Sequence, residues 1–346
     1  MFKRMQQLQC ESVHCFSSVD QDTPFRAFIV LHNTDRGPAL GGCRLKSYRN
    51  ENAALNDAMR LAQGMSYKAA MADIPHGGGK AVIMEPAEPY DRNALFQWFG
   101  RCVDSLNGRY VTAMDVGTRV DDMDTIATQT QHVASHSAIG DPSPHTARGV
   151  FAGIRAALEF QQGKSLAQAR VAVQGLGHVG LELSRLLLRN GATVFATDTN
   201  LQACDKAASL GAEVVDLNDI HRVGVDVFAP CALGAVVNDS SLAELQCRIV
   251  AGCANNQLAE PHCGDALAQR GILYAPDYVI NAGGLIYAAG RYANRDEDLI
   301  VQDVDQIYYR LLRLFVAAQS RNCSVDQVAD QQAREILRND HIKLSA

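Results

Sequence analysis

The chain has 346 residues, 47% of them hydrophobic and 20% charged, with a formal net charge of −6. A single hydrophobic core stops growing at roughly 250 to 300 residues, so this length predicts two domains. Mild acidity without a basic run excludes the electrostatic footprint of a nucleic-acid binder or of a protein held on an anionic membrane.

The opening residues "MFKRMQQLQCESVHCF" carry charge but no apolar signal core, and no later run is apolar for long enough to cross a bilayer. The ten cysteines include no Cys-x-x-Cys pair, which reads as reduced thiols in a cytoplasmic protein. His262 and Cys263 suggest a zinc ligand pair, but no second pair stands at metal spacing, so no metal is expected.

Up to residue 115 the strand-like runs "FRAFIVLHN", "YKAAMA", "KAVIM" and "GRYVTAMD" alternate with two helical stretches. The first helix has Ala54, Leu55, Ala58, Leu61 and Met65 at helical spacing, with Asn50 or Asn52 as its cap. Asp91 caps the second, which Gly108 ends. From Arg170 onward the short apolar runs "RVAVQ", "TVFAT", "EVV", "VDVFAP", "RIVAG" and "GILYAP" alternate with helical segments, the pattern of a doubly wound parallel sheet. Between the two regions "GDPSPHTARG" reads as a hinge. The chain after Gly290 reads as helical and able to return to the first domain. The expected organisation is an α/β substrate domain of residues 1–145 with 305–346, and a Rossmann domain of residues 146–304.

"PHGGGK", Pro75 to Lys80, is not a Walker phosphate loop, because Ile74 and Ala81 occupy positions that need glycine and a hydroxyl. Its glycines open space for a ligand beside the Lys80 amine. Lys68 stands twelve residues earlier, and Asp115 ends the strand "YVTAM". Two ammonium groups in one pocket disfavour each other's charge, so one can act as a base while the other grips a carboxylate. Either lysine taken alone reads first as a solvated surface charge, and Asp115 reads also as a loop cap.

The glycines Gly175, Gly177 and Gly180, with Leu176, His178 and Val179 among them, follow an apolar strand and open a helix. In that setting they permit the tight turn, the approach of a pyrophosphate to backbone amides and close helix packing. Asp198 ends the next strand, where it can accept hydrogen bonds from an adenosine ribose and repel a 2′-phosphate, so NAD is the expected cofactor.

"GPALGGCRL", "MSYKAA", "GGGKAVI", "DVGT", "PSPHTARGV", "PCALGAVVN", "CANNQL" and "APDYVINAGG", in this order from about residue 25 to 290, resemble the leucine/phenylalanine/valine dehydrogenases, relatives of glutamate dehydrogenase. The resemblance implies a substrate domain, a cleft and an NAD domain. It implies that Lys68 binds the substrate carboxylate, that Lys80 is the catalytic base and that Asp115 assists proton transfer. It further implies a substrate site including Gly41, Gly42, Met65 and Asn281, an apolar side-chain pocket of Leu40, Ala113, Leu285 and Ala288, and cofactor contacts at Thr146, Cys231, Ala232 and Asn255. His76, His145 and Arg148 depart from the family's pattern; the two histidines read as partly buried hydrogen-bonded side chains. The implied reaction is NAD-dependent oxidative deamination of an apolar L-amino acid, leucine or another branched-chain residue ahead of an aromatic one, by a homo-oligomer. A catalytically silent NAD-binding protein on the same fold is the rival from another class.

Overall fold

The computed structural model describes residues 1–18, 24–232 and 234–345. They form two compact units, one of Met1–Asp141 with Ala288–Asp296 and the stretch from Ala333 onward, the other of Pro142–Tyr287 with Glu297–Gln332.

The first unit contains α1 (Phe2–Leu8), β1 (Ser12–Ser17), β2 (Arg26–Asn33), β3 (Ala39–Lys46), α2 (Glu51–Ala72), β4 (Gly77–Met84), α3 (Arg92–Asp104), β5 (Tyr110–Met114) and α4 (Val120–Ala127). Its sheet runs β1-β2-β4-β3-β5, with β3 parallel to both β4 and β5. The Asn50 side chain caps α2 by accepting from the Ala53 amide at 2.9 Å, and Asp91 caps α3 through Asn93 and Ala94. Helix α2 lays Ala54, Ala58, Met59 and Ala62 against Phe28, Val30 and Val82 on one sheet face. On the other face Leu95, Phe96, Phe99 and Val103 of α3 pack on Ile29, Ala81 and Ile83. The expected strand "YKAAMA" is instead the end of α2: its alanines Ala69 and Ala70 are buried on a helix that continues unbroken to Ala72. Helix α3 closes at Asp104, and Gly108, at φ +79°, belongs to the turn that follows.

The second unit begins with α5 (Ser143–Gln162), which takes up most of the expected hinge segment as regular helix. Then come β6 (Arg170–Gln174), α6 (His178–Arg189), β7 (Thr193–Thr197), α7 (Leu201–Ser209), β8 (Glu213–Val214), β9 (Val227–Pro230), α8 (Asp239–Glu244), β10 (Ile249–Val250), α9 (His262–Gln269) and β11 (Leu273–Tyr274). The order β11-β10-β9-β6-β7-β8, parallel throughout, is the doubly wound arrangement expected from the six apolar runs. The remainder is helical: α10 (Asp277–Ile280), α11 (Gly283–Tyr292), α12 (Glu297–Asp305), α13 (Ile307–Arg321) and α14 (Val325–Ser345). The expected return of 305–346 to the first unit is corrected for residues 305–332, which belong to the second. The reason is local: Gly149 and Gly153 of α5 leave room for the Ile307 and Leu311 side chains of α13, where a Cβ would approach within 2.6 and 2.7 Å.

Candidate active site

In the first unit the three glycines before Lys80 lie inside β4, not ahead of it, held in register by pairing of Gly79 with Leu31 and of Gly78 with Leu40. A Cβ on Gly78 would stand 2.0 Å from the Ser66 backbone nitrogen, so hydrogen there lets α2 press its backbone onto the strand. A Cβ on Gly41 would meet the Gly79 carbonyl oxygen at 1.8 Å. Tyr110, fully buried, donates its hydroxyl to the Gly41 carbonyl oxygen at 2.6 Å and fixes this part of β3.

Side chains alternate along a strand, so Gly78 and Lys80 share the face that receives α2. Register puts Leu40, opposite Gly78, and the pair Gly42 and Ala113 on that face too. Asp115 follows two residues after Ala113, just beyond the end of β5. Lys80 is 5% exposed, and its Nζ lies 2.7 Å from Asp115 Oδ2. Burial raises the tendency of Asp115 to hold a proton, but the Lys80 ammonium and the Arg44 guanidinium outweigh it and keep the carboxyl below its usual range. Met65 and Lys68, both half-buried on α2, flank the Ser66 contact. The sheet thus gathers Leu40, Gly42, Lys80, Ala113 and Asp115 on one face; alternation turns Gly41 to the other.

Arg44 belongs to the same site and carries no signal in the sequence. Its Nε reaches Asp115 Oδ2 at 3.1 Å and its Nη1 reaches Asp57 Oδ2 at 3.0 Å. No spacing rule signals a partner 71 residues away.

In the second unit Gly175 has φ +99°, and a Cβ there would strike the Ala232 backbone nitrogen at 2.6 Å. A Cβ on Gly180 would lie 2.0 Å from the Gly175 carbonyl oxygen, whereas one on Gly177 would meet nothing within 4 Å. Gly177 heads α6, and no side-chain cap closes that end among the described residues. The Asp198 carboxylate accepts from the Leu176 amide at 2.6 Å and the Asn200 amide at 2.8 Å. Burial pushes this carboxyl up, and the Leu176 and Asn200 amides together with Thr199 more than offset that, leaving it below the usual range. His178 is exposed and Val179 half-buried at the start of α6. Thr146 donates to the Pro142 carbonyl oxygen at 3.2 Å and stands against Gly284. Asn281 donates to Asn255 Oδ1 at 2.9 Å and to the Cys253 carbonyl oxygen at 3.0 Å, while its own Oδ1 is buried with no partner among the described residues. Cys231 lies beside Cys253, whose thiol lowers the Cys231 thiol from its usual range more than burial raises it. Leu285 lies on the part of α11 in the second unit, Ala288 on the part in the first.

The departures at 76, 145 and 148 are bonded side chains. His76 is 5% exposed, with Nδ1 3.1 Å from the Pro38 carbonyl oxygen, His145 stacks on Tyr287 at 4.0 Å, and Arg148 pairs with Asp305 at 2.6 Å. Folding also brings Asp239 to His262, at 2.8 Å, beside Cys263, a third potential ligand invisible at sequence spacing; Cys263 is buried in the apolar core of this unit. All ten cysteines are free, and no helix among the described residues is long and apolar enough to cross a membrane.

Residues 9–132 match the family described as Glu/Leu/Phe/Val dehydrogenase, dimerisation domain, and residues 141–207 and 197–334 match Glutamate/Leucine/Phenylalanine/Valine dehydrogenase. The chain is 42% identical over 341 residues to leucine dehydrogenase of Geobacillus stearothermophilus, across 97% of this chain and 92% of the relative. The chain belongs to the Glu/Leu/Phe/Val dehydrogenase family. Among solved members of these dehydrogenases, L-tryptophan dehydrogenase from Nostoc punctiforme superimposes with a TM-score of 0.87 at 40% identity, covering 99% of both chains. Phenylalanine dehydrogenase of Caldalkalibacillus thermarum is 39% identical over 92% of this chain and 89% of its own. As an amino acid dehydrogenase the protein is an oxidoreductase that deaminates an amino acid oxidatively. This family implies a nicotinamide cofactor, and the second unit fits one: open space beside Gly177, an uncapped helix start and an ionised carboxylate at the end of β7 are what a dinucleotide's pyrophosphate and ribose require.

Proposed function

We propose that the protein catalyses reversible, NAD-dependent oxidative deamination of an apolar L-amino acid to its 2-oxo acid, with release of ammonium, and that the substrate is leucine or another branched-chain residue. The observation that carries this reading is the buried contact of 2.7 Å between Lys80 and Asp115, on a sheet face shared with Leu40 and Ala113. When bound, a nicotinamide cofactor supplies the acceptor for the α-hydride. Lys68 grips the α-carboxylate, with Met65 and Gly42 around it, and so aims the α-hydrogen. Once an imino acid has formed, Lys80 in its neutral form takes at Nζ a proton from the water that attacks the imine carbon, and Asp115 accepts and returns that proton across their contact. The returned proton reaches the amine; Lys80 then takes the hydroxyl proton as the carbonyl forms and the carbon–nitrogen bond breaks, and ammonia leaves and takes up that proton as ammonium.

Asn281, with its unsatisfied buried oxygen, is assigned to the substrate, and Thr146, Cys231, Ala232 and Asn255 join the glycine turn at the cofactor. Asp198 supports NAD over NADP, because its carboxylate accepts from ribose hydroxyls and repels a 2′-phosphate. Leu40, Ala113, Leu285 and Ala288 offer no partner to a charged side chain, and burying such a group unpaired costs about 1 to 3 kcal/mol or more. A second reading, an aromatic substrate, is supported by the small side chain of Ala288 and by the likeness to L-tryptophan dehydrogenase. The dimerisation domain matched by residues 9–132 supports a homo-oligomer, and ten free thiols support a reducing, cytoplasmic setting. The deciding measurement is NADH formation with leucine, valine, isoleucine, phenylalanine, tryptophan and glutamate in parallel. A branched-chain substrate should lead; glutamate in first place would overturn the apolar-substrate reading, and an aromatic in first place would select the second reading.

A further inference from the structure

The Lys80–Asp115 contact does not stand alone. Asp115 Oδ2 accepts from Lys80 Nζ at 2.7 Å and from Arg44 Nε at 3.1 Å, so one oxygen is shared by two cations from adjacent strands. The far end of the same guanidinium is held: Arg44 Nη1 reaches Asp57 Oδ2 at 3.0 Å. Asp57 is itself fixed from two sides, accepting from the Tyr48 hydroxyl at 2.7 Å and pairing with Arg60 at 3.1 Å. Arg44, Asp57 and Asp115 are 18%, 17% and 21% exposed at their side chains, so water competes only weakly for these bonds.

We propose that Arg44 is a positioning residue for the deamination chemistry: clamped by Asp57 on α2, its guanidinium holds the Asp115 carboxylate turned toward the Lys80 amine. The inference rests on the reading of Lys80 and Asp115 as the proton-transfer pair. A planar guanidinium is suited to this, because donors on two of its edges can engage two carboxylates at once, whereas an ammonium presents a single point charge. Asp57 lies on α2, the helix that also carries Lys68 and that Gly78 brings onto β4. The clamp therefore ties the orientation of Asp115 to the same helix that presents Lys68. Among the described residues the charged and titratable groups facing Asp115 include Lys80 from β4, Arg44 and Cys43 from β3 and Tyr110 from β5, with Asp57, Tyr48 and Arg60 behind Arg44. Removing Arg44 takes away one of the two cations that favour ionised Asp115, which moves the acid limb of turnover to higher pH.

The test compares Arg44→Met, Arg44→Lys and Asp57→Asn with Lys80→Ala in the full-length enzyme, measuring kcat, KM for leucine, KM for NAD and the pH profile of kcat. Arg44→Met should lower kcat about tenfold to a hundredfold, the scale of a misplaced catalytic group, with less than about a twofold change in KM for NAD. Its acid limb should move to higher pH, a shift that a purely structural defect has no reason to produce. Arg44→Lys should restore part of the acid limb but not the full kcat, since it cannot bridge both carboxylates. Asp57→Asn, nearly isosteric, should lower kcat in the same direction by a smaller factor, and it carries the test if Arg44→Met does not fold. Unchanged kcat and acid limb in folded Arg44→Met and in Asp57→Asn, with Lys80→Ala inactive, would overturn the role of Arg44 while leaving the Lys80–Asp115 pair in place. Normal turnover in Lys80→Ala would instead remove the pair and this role with it.

Discussion

Gly41 and Gly78 in the first unit and Gly177 in the second serve opposite ends. In the first, Gly41 and Gly78 sit inside strands because backbone presses on them, and a Cβ would collide at 1.8 and 2.0 Å. In the second, Gly175 turns the chain at φ +99° and Gly177 leaves a volume in which a Cβ would meet nothing within 4 Å. The first set, Gly41 and Gly78, removes side chains to bring protein against protein; Gly177 removes one to leave room for something else. Substitutions in the first set should therefore act on folding, and at Gly177 on binding.

The largest expected effect lies in the chemistry that the first set frames. Lys80→Ala should lower kcat by about 10² to 10⁴, the range for loss of a general acid or base, while NADH still binds in a fluorescence titration. A variant that kept near-normal turnover would separate the glycine-walled face from catalysis. Next comes pH at the same helix–strand junction. His32 is buried between the Leu8 carbonyl oxygen, 2.9 Å from Nε2, and the Ser66 hydroxyl, 2.8 Å from Nδ1, so Nε2 carries the hydrogen and Nδ1 accepts. Burial lowers its pKa from 6.5 to about 4, against weaker opposing effects of the Leu8 carbonyl and Glu11. Between those values the unfolded chain binds more protons than the folded one, so the stability that neutral His32 contributes is present above pH 6.5 and lost as pH falls through about 4. The loss amounts to on the order of 3 kcal/mol. Urea unfolding at pH 7, 6, 5 and 4 should show His32→Gln flatter than the parent by that amount, and parallel curves would contradict it.

Gly78→Ala should destabilise by about 1 to 3 kcal/mol, as overpacking does, read as a lower urea midpoint. An unchanged midpoint would mean that α2 yields to a methyl group and that the contact with Ser66 is not tight. Gly177→Ala, whose φ of −66° suits alanine, should change stability by less than about 1 kcal/mol yet raise KM for NAD about tenfold. The smallest effect is expected at Asp198→Ala, which should narrow the preference for NAD over NADP by roughly tenfold, measured as the ratio of kcat/KM values. If Gly177→Ala unfolded the protein while Gly78→Ala did not, the contrast between the two sets would be reversed.

Local spacing by itself determined the second unit: six short apolar runs became the six parallel strands, and Gly175, Gly177, Gly180 and Asp198 met at one turn. A strand-turn-helix-strand unit is governed by backbone sterics over fewer than thirty residues, so its glycines and its acidic residue are readable in order. The lysines and Asp115 were also legible as candidates, by residue type and by resemblance. Only the tertiary structure decided that "YKAAMA" is helix, since Ala69 and Ala70 are buried by continuing α2, and that the glycines before Lys80 are strand, since pairing with β2 and β3 holds them there. It also decided that residues 305–332 stay with the second unit, where small residues of α5 admit α13. Arg44 and Asp57 belong to this class: sheet register brings Arg44 to a carboxylate 71 residues away, and no periodicity in the chain encodes a distance that only strand pairing sets.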